Sequence, residues 1–158
     1  MMNEQKLADL LQSYISAFKR YDLSRVRQCY QLPCALHTPD KIVYLTSELA
    51  FEQEFIQIFN VLQDANISDI KATKITFNPL ENNTIDMCID WVFMDDNDAV
   101  FTDFCAFYHL VKDEQEQTEQ QYKMISVVSH ELSNSVELPF SLSPKLLSGL
   151  SINLPPVN

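Results

Sequence analysis

The sequence predicts an α+β domain, with helices gathered at the N-terminus and a long antiparallel sheet behind them. Three observations carry this. Gln5 to Arg20 and Thr46 to Leu62 repeat apolar residues at three- and four-residue steps. From Ile67 onward the period falls to two. Between Thr84 and Lys112 two such runs flank Asp95-Asp96-Asn97-Asp98, the composition of a tight turn. Runs of helices followed by runs of strands, rather than strict alternation of the two, are the pattern of an α+β fold.

In chain order, Leu7, Leu10, Leu11, Tyr14, Ile15, Ala17 and Phe18 place one apolar stripe on the first helix. Asp22 is a candidate cap for a second helix, in which Leu23, Val26, Cys29 and Tyr30 share a face and Pro33 ends the helix. Cys34–His37 and Ile42–Leu45, either side of Thr38-Pro39-Asp40-Lys41, form a small hairpin. Thr46 or Ser47 then caps a third helix through Phe51, Phe55, Ile58, Phe59 and Leu62, which Asn66 closes. A strand follows to Pro79, then the hairpin arms Thr84–Met94 and Val100–Lys112, then a strand over Tyr122–Leu132. The acidic stretch Asp113–Gln121 between them is an exposed turn. Residues 1–132 therefore form the domain. The tail 133–158 holds Pro139, Pro144, Pro155, Pro156 and the only glycine, Gly149, yet is too apolar to be a solvated linker. It is expected to pack on a sheet face or on a neighbouring subunit.

Composition narrows the function. A net charge of −11, with no cluster among eleven Lys and Arg, disfavours nucleic acid and anionic membranes. No apolar run approaches the roughly 18 residues of a membrane span, and the N-terminus lacks the basic-then-apolar pattern of a signal peptide. A cytoplasmic protein is expected. Cys29, Cys34, Cys88 and Cys105 have no metal-binding spacing and are expected to be reduced, structural thiols. One glycine, in the tail, rules out a glycine-rich phosphate loop.

The first hairpin arm reads as a half-buried strand, and the second, with Phe101, Phe104, Phe107 and Tyr108, is apolar on both sides. One side of the first arm carries Met87, Ile89, Trp91 and Phe93, and a four-residue turn would set Trp91 opposite Thr102, Ile89 opposite Phe104 and Met87 opposite Ala106. On the other side the same register opposes Asp90 to Asp103 and Cys88 to Cys105, with His109 farther along. Facing carboxylates repel unless a cation intervenes. No third ligand has suitable spacing, so no metal is assigned and no cofactor is expected.

Tyr14-Ile15-Ser16-Ala17-Phe18, Tyr21 to Val26, Tyr30 to Pro33, Trp91-Val92-Phe93 before the acidic turn, Tyr108 to Lys112 and Tyr122-Lys123-Met124, in that order, resemble the nuclear transport factor 2-like superfamily. The resemblance spans about Leu7 to Leu132. It implies a cone in which a strongly curved sheet wraps three helices around an inner pocket, the fold also called cystatin-like. Many members dimerise through the outer face of the sheet, which would account for the second apolar side. Phe101, Phe107, Cys88 and Cys105 are the interface candidates, and a homodimer is expected. For the pocket, Tyr14, His37, Tyr44, Trp91, Thr102 and Phe104 are the ligand-binding candidates, suited to a small apolar molecule; the alternative is that they are plain core.

The ketosteroid isomerase branch of this superfamily allows a residue-level comparison. Tyr14 matches its oxyanion-hole tyrosine, but its general-base aspartate falls on Thr38, before Pro39, and its second oxyanion donor on Ala106. A hydroxyl cannot accept a carbon-bound proton at neutral pH, and alanine has no donor. Three readings follow: binding of a small apolar molecule without catalysis, a SnoaL-like isomerase, lyase or hydratase using His37 with Tyr14, or a dimeric interaction module without ligand.

Overall fold

The computed structural model of the chain describes residues 3–113, 121–143, 145–146 and 150. Most of the acidic stretch and most of the distal tail, to which two of the sequence expectations refer, lie outside the described residues.

The elements run α1 (Glu4–Arg20), α2 (Leu23–Gln28), β1 (Tyr30–His37), β2 (Ile42–Leu45), α3 (Glu48–Asp64), β3 (Ile67–Pro79), β4 (Thr84–Asp95), β5 (Val100–Lys112), β6 (Tyr122–His130) and β7 (Phe140–Ser141). Each helix start is capped by a side chain, which satisfies backbone N–H groups that the helix itself leaves open. Asn3 accepts from Gln5 and Lys6, Asp22 from Arg25, and Ser47 from Ala50. The seven strands form one curved, unclosed sheet in the order β2-β1-β6-β5-β4-β3-β7. Its inner face holds Ile75, Phe77, Met87, Ile89, Trp91, Ala106, Tyr108 and Val127 against α1 and α3. The fold is thus the α+β cone expected from the sequence.

Three details differ from the sequence expectation. First, α2 ends at Gln28 rather than at Pro33, and β1 already begins at Tyr30. The Met124 N–H donates to the Cys29 carbonyl at 2.8 Å, and Tyr30 pairs with Met124, so long-range pairing with β6 pulls this segment out of the helix. That β1–β6 pair is parallel, the one exception among the paired strands described. The N-terminal hairpin is thereby joined to the main sheet.

Second, the β4–β5 register is displaced by two residues. Trp91 pairs with Phe104 rather than Thr102, Ile89 with Ala106, and Met87 with Tyr108. The cause lies at the turn. The Asp95 carboxylate accepts from the N–H groups of Asn97 and Ala99, at 2.9 and 3.0 Å, Asp98 adopts φ 59°, and the ladder is irregular between Phe93 and Met94. An even displacement keeps every side chain on its face. It does change the neighbours: Asp90 pairs with Cys105 and Cys88 with Phe107, so the expected Asp90–Asp103 and Cys88–Cys105 oppositions are not formed.

Third, the outer face is covered in part by the chain itself. Beyond β6, Cys105 Sγ lies 3.3 Å from the Glu131 carbonyl, and Ser135 Oγ donates to Asp90 at 2.5 Å. Farther on, the Leu138 N–H donates to Thr76 Oγ1 at 3.0 Å, and β7 then adds to the β3 edge. Cys88 and Cys105 are fully buried under this strap, which removes them from the expected subunit interface. All four cysteines are free and buried. No described helix is long and apolar enough to cross a membrane.

Candidate functional site

The sheet curvature leaves a cavity of about 220 Å³ between α1, α3 and the inner face. Helical spacing brings Tyr14, Ile15 and Phe18 of α1 and Phe55, Ile58 and Leu62 of α3 to its helix side. Period-two alternation brings Trp91 and Phe93 of β4, Phe104 and Tyr108 of β5, and Val127 and Ser129 of β6 to its sheet side. Tyr30 and Leu36 of β1 complete the wall, and His37 and Thr38 stand where β1 leaves the sheet.

The polar groups inside form two hydrogen-bonded pairs. The Trp91 indole N–H donates to the Tyr108 hydroxyl at 2.8 Å. Tyr108 and Tyr14 meet through their rings, edge-on at 6.0 Å between centroids. The Tyr14 and Tyr30 hydroxyls lie 3.2 Å apart. Burial, the largest cause, pushes all three phenols well above their ordinary range. They are therefore neutral donors and acceptors at any physiological pH.

Arg27 holds the Tyr30 backbone in place. Its guanidinium grips Glu48, at the start of α3, through two contacts of 2.7 and 2.6 Å, and donates to the Tyr30 carbonyl at 2.7 Å. It also lies 5.4 Å above the Phe51 ring. The Arg27 hydrogen bond holds the Glu48 carboxyl below its usual range.

Of the six ligand-binding candidates, Tyr14, Trp91, Phe104 and His37 border the cavity. Tyr44 does not: it is 74% exposed, opposite Ala35 on the edge strand β2. Thr102 pairs with Phe93 beside the irregularity and is not part of the lining, a consequence of the displaced register. His37, the last residue of β1, is exposed and pairs with Val128 where it borders the cavity's edge. The Thr38 hydroxyl is engaged within the β1–β2 turn by Lys41, and Ala106 is fully buried. Tyr30 and Tyr108 escaped the sequence reading. Tyr108 shares its side of β5 with Phe104 and was legible in principle; Tyr30 was assigned to a helix face, where a strand-side assignment was impossible.

Elsewhere, among the described residues, no group of three or more His, Cys, Asp and Glu side chains could hold a metal ion. His109 Nδ1 contacts Asp86 at 2.7 Å as a cross-strand pair on the outer face, away from the cavity. Phe101 is 46% exposed, and Phe107 is partly buried with its ring edge-on to His130.

A curved sheet closed over three helices, with an aromatic cavity at their junction, defines an NTF2-like α+β cone. The chain belongs to the family described as NTF2-like protein (DUF6841), which it matches over residues 4–132. Among solved structures it is similar to an NTF2-like protein with a cystatin-like fold from Novosphingobium aromaticivorans, at TM-score 0.64 and 10% identity over 84% of this chain and 83% of that one. It is also similar to an NTF2-like protein of unknown function from Shewanella oneidensis, at TM-score 0.62 and 14% identity over 81% and 98% of the two chains. A cystatin-like domain of unknown function from Nostoc punctiforme gives TM-score 0.63 and 9% identity over 81% and 76%. At these identities the likeness shows the fold alone. No curated protein matches.

Proposed function

We propose that this protein binds a small, largely apolar molecule in the inner cavity of the cone and does not turn it over. The observation that supports this best is the cavity itself: about 220 Å³, walled mostly by aromatic and aliphatic side chains, with no Lys, Arg, Asp or Glu among the described residues that line it. Its buried polar groups are an indole and three phenols, hydrogen-bonded in the pairs Trp91–Tyr108 and Tyr14–Tyr30, and a phenol kept protonated is no general base. The SnoaL-like alternative needs a proton acceptor that faces the ligand. Thr38 and Ala106 do not supply one, and it would rest on His37, which stands exposed at the cavity's edge.

Trp91 is the only tryptophan and lines the cavity, so its fluorescence reports occupancy directly. Titration with a library of neutral aromatic and alicyclic compounds is expected to give saturable changes. Thermal stabilisation of about 2.7 kcal/mol is expected at a hundredfold excess over the dissociation constant. Filling the cavity with Ile58→Trp should abolish both responses. A full library without one saturable change would refute binding.

A second reading keeps the homodimer, now without Cys88 and Cys105. It is supported by the exposure of Val100 and Phe101, at 57% and 46%, where β5 begins. Light scattering tests it: the mass of the wild type should be twice that of Phe101→Asp, and an equal mass for both removes this reading.

A further inference from the structure

We propose that the outer face of the sheet carries a second site, in which Ser126 and His109, oriented by Asp86, cleave small neutral esters. It is independent of the inner cavity, and the strand registers place it. Asp86 of β4 pairs with His109 of β5, His109 with Ser126 of β6, Ser126 with Ala35 of β1, and Ala35 with Tyr44 of β2. One row thus crosses five strands, and residues paired in this way stand on one face. Ile85, Leu110, Val127 and Leu36, each one position along, belong to the core, so the row itself is turned outward. Asp86, His109 and Ser126 are all half-buried and open to solvent.

The chemistry starts at the 2.7 Å contact between His109 Nδ1 and Asp86. A carboxylate only accepts, so Nδ1 carries the proton, and the neutral ring keeps Nε2 as its basic nitrogen. The two ring nitrogens point apart. With Nδ1 turned to β4, Nε2 faces away from that strand, on the side where β6 presents Ser126. Directly opposed residues have Cβ atoms about 4.5–5.5 Å apart, and among the described residues no partner holds the Ser126 hydroxyl. The β5–β6 ladder is irregular at this point, where β6 inserts Ile125, and such irregularities re-aim side chains. Ala35 has only a methyl group, which leaves the exposed Tyr44 phenol free to lie across it and donate to an oxyanion formed at Ser126. In the adjoining row Phe107 pairs with Val128, both half-buried, an apolar bed for the hydrocarbon of the ester. The backbone N–H groups of these inner strands are taken up by the ladders, so a single phenol serves the oxyanion, which suits an ester rather than the less reactive amide. A net charge of −11 turns anionic substrates away.

In the reaction Ser126 Oγ bonds to the ester carbonyl carbon as its proton passes to His109 Nε2. The carbon–oxygen bond to the alcohol then breaks, and the alcohol leaves with that proton. Water repeats both steps on the acylated Ser126: it gives a proton to Nε2, releases the carboxylic acid, and Ser126 recovers its hydrogen.

The test uses p-nitrophenyl acetate and the full chain, with peptide mass spectrometry of the acetylated protein. Wild type should release p-nitrophenol on the order of a hundredfold faster than Ser126→Ala or His109→Gln, and carry the acetyl group on Ser126. Tyr44→Phe should lose roughly tenfold in kcat/KM. Asp86→Asn should lower kcat and leave KM unchanged, since Asp86 positions the imidazole and does not touch the ester. Release by wild type no faster than by Ser126→Ala overturns the proposal, and so does acetyl recovered on a lysine, a tyrosine or His109 instead of Ser126. Should Ser126→Ala not fold, a fluorophosphonate probe on wild type decides the same point: a covalent adduct on Ser126 upholds the site, and an unlabelled Ser126 overturns it.

Discussion

The indole N–H of Trp91 finds its acceptor on the next strand, in the hydroxyl of Tyr108 at 2.8 Å, with both residues nearly inaccessible to solvent. Trp91 itself pairs with Phe104, so this bond runs diagonally across the inner face. Tyr108→Phe would leave a buried N–H without a partner, at an expected loss of about 1–3 kcal/mol in urea unfolding. Removing both partners removes the conflict as well. Trp91→Phe combined with Tyr108→Phe should therefore cost less than the sum of the single changes, and strict additivity would show that the bond carries no coupling.

Arg27 joins α2, the first turn of α3 and the Tyr30 carbonyl through one planar group. Lysine cannot reproduce a forked contact to a carboxylate together with a third donation. Arg27→Lys is expected to lose about 1–2 kcal/mol, nearly as much as Arg27→Ala. Because the Tyr30 backbone is held by the same group, the variant should also weaken binding in the cavity. Full retention of stability by the lysine variant would reduce Arg27 to a simple surface charge.

Burial pushes the Cys29 thiol up to about 12, against the opposing pull of Lys123 and then Arg25, and pushes Cys34 up to about 11, opposed by Arg27. A raised folded-state value means that the native state keeps a proton which the unfolded chain releases. Stability is then unaffected by these thiols below about pH 9 and is lost as pH rises toward the folded values. The loss should approach about 1.4 kcal/mol per pH unit for Cys29 between roughly pH 9 and 12, with the raised tyrosines adding to it from about pH 10. Cys29→Ala lowers stability at pH 7 but should flatten the decline between pH 9 and 10. An unchanged slope in that window would exclude the thiol as its source.

Ser135 bonds Asp90 and stands 3.9 Å from Cys88 Sγ, pinning the strap to the outer face. Labelling by a thiol reagent at pH 8 should be slow at every cysteine of the native chain, since all four are buried. Ser135→Ala should speed the labelling of Cys88 selectively, with Cys29 and Cys34 as internal controls. Equal acceleration at all four would mean global loosening rather than release of the strap.

Much of this architecture is legible in local sequence. Apolar spacing around Leu7, Leu11 and Tyr14, and around Phe51, Phe55 and Leu62, identifies two helices, because a helix must bury one stripe. Alternation through Met87, Ile89 and Trp91 identifies the inner face, and that assignment survives the register change because the displacement is even. The identity of the cross-strand partners was not legible. It depended on how Asp95 folds its own turn, a choice among loop conformations of similar local energy.

By itself, then, the sequence determined most of the element types and the inward-facing side of the first hairpin arm. Each of these follows from the period or identity of neighbouring residues. The tertiary structure decided the rest: Tyr30 as a strand residue, the chain's own strap over Cys88 and Cys105, the exposure of Tyr44, and the buried pairs Trp91–Tyr108 and Tyr14–Tyr30. These depend on contacts between residues far apart in the chain, such as Cys29 with Met124 and Asp90 with Ser135, which no local periodicity encodes.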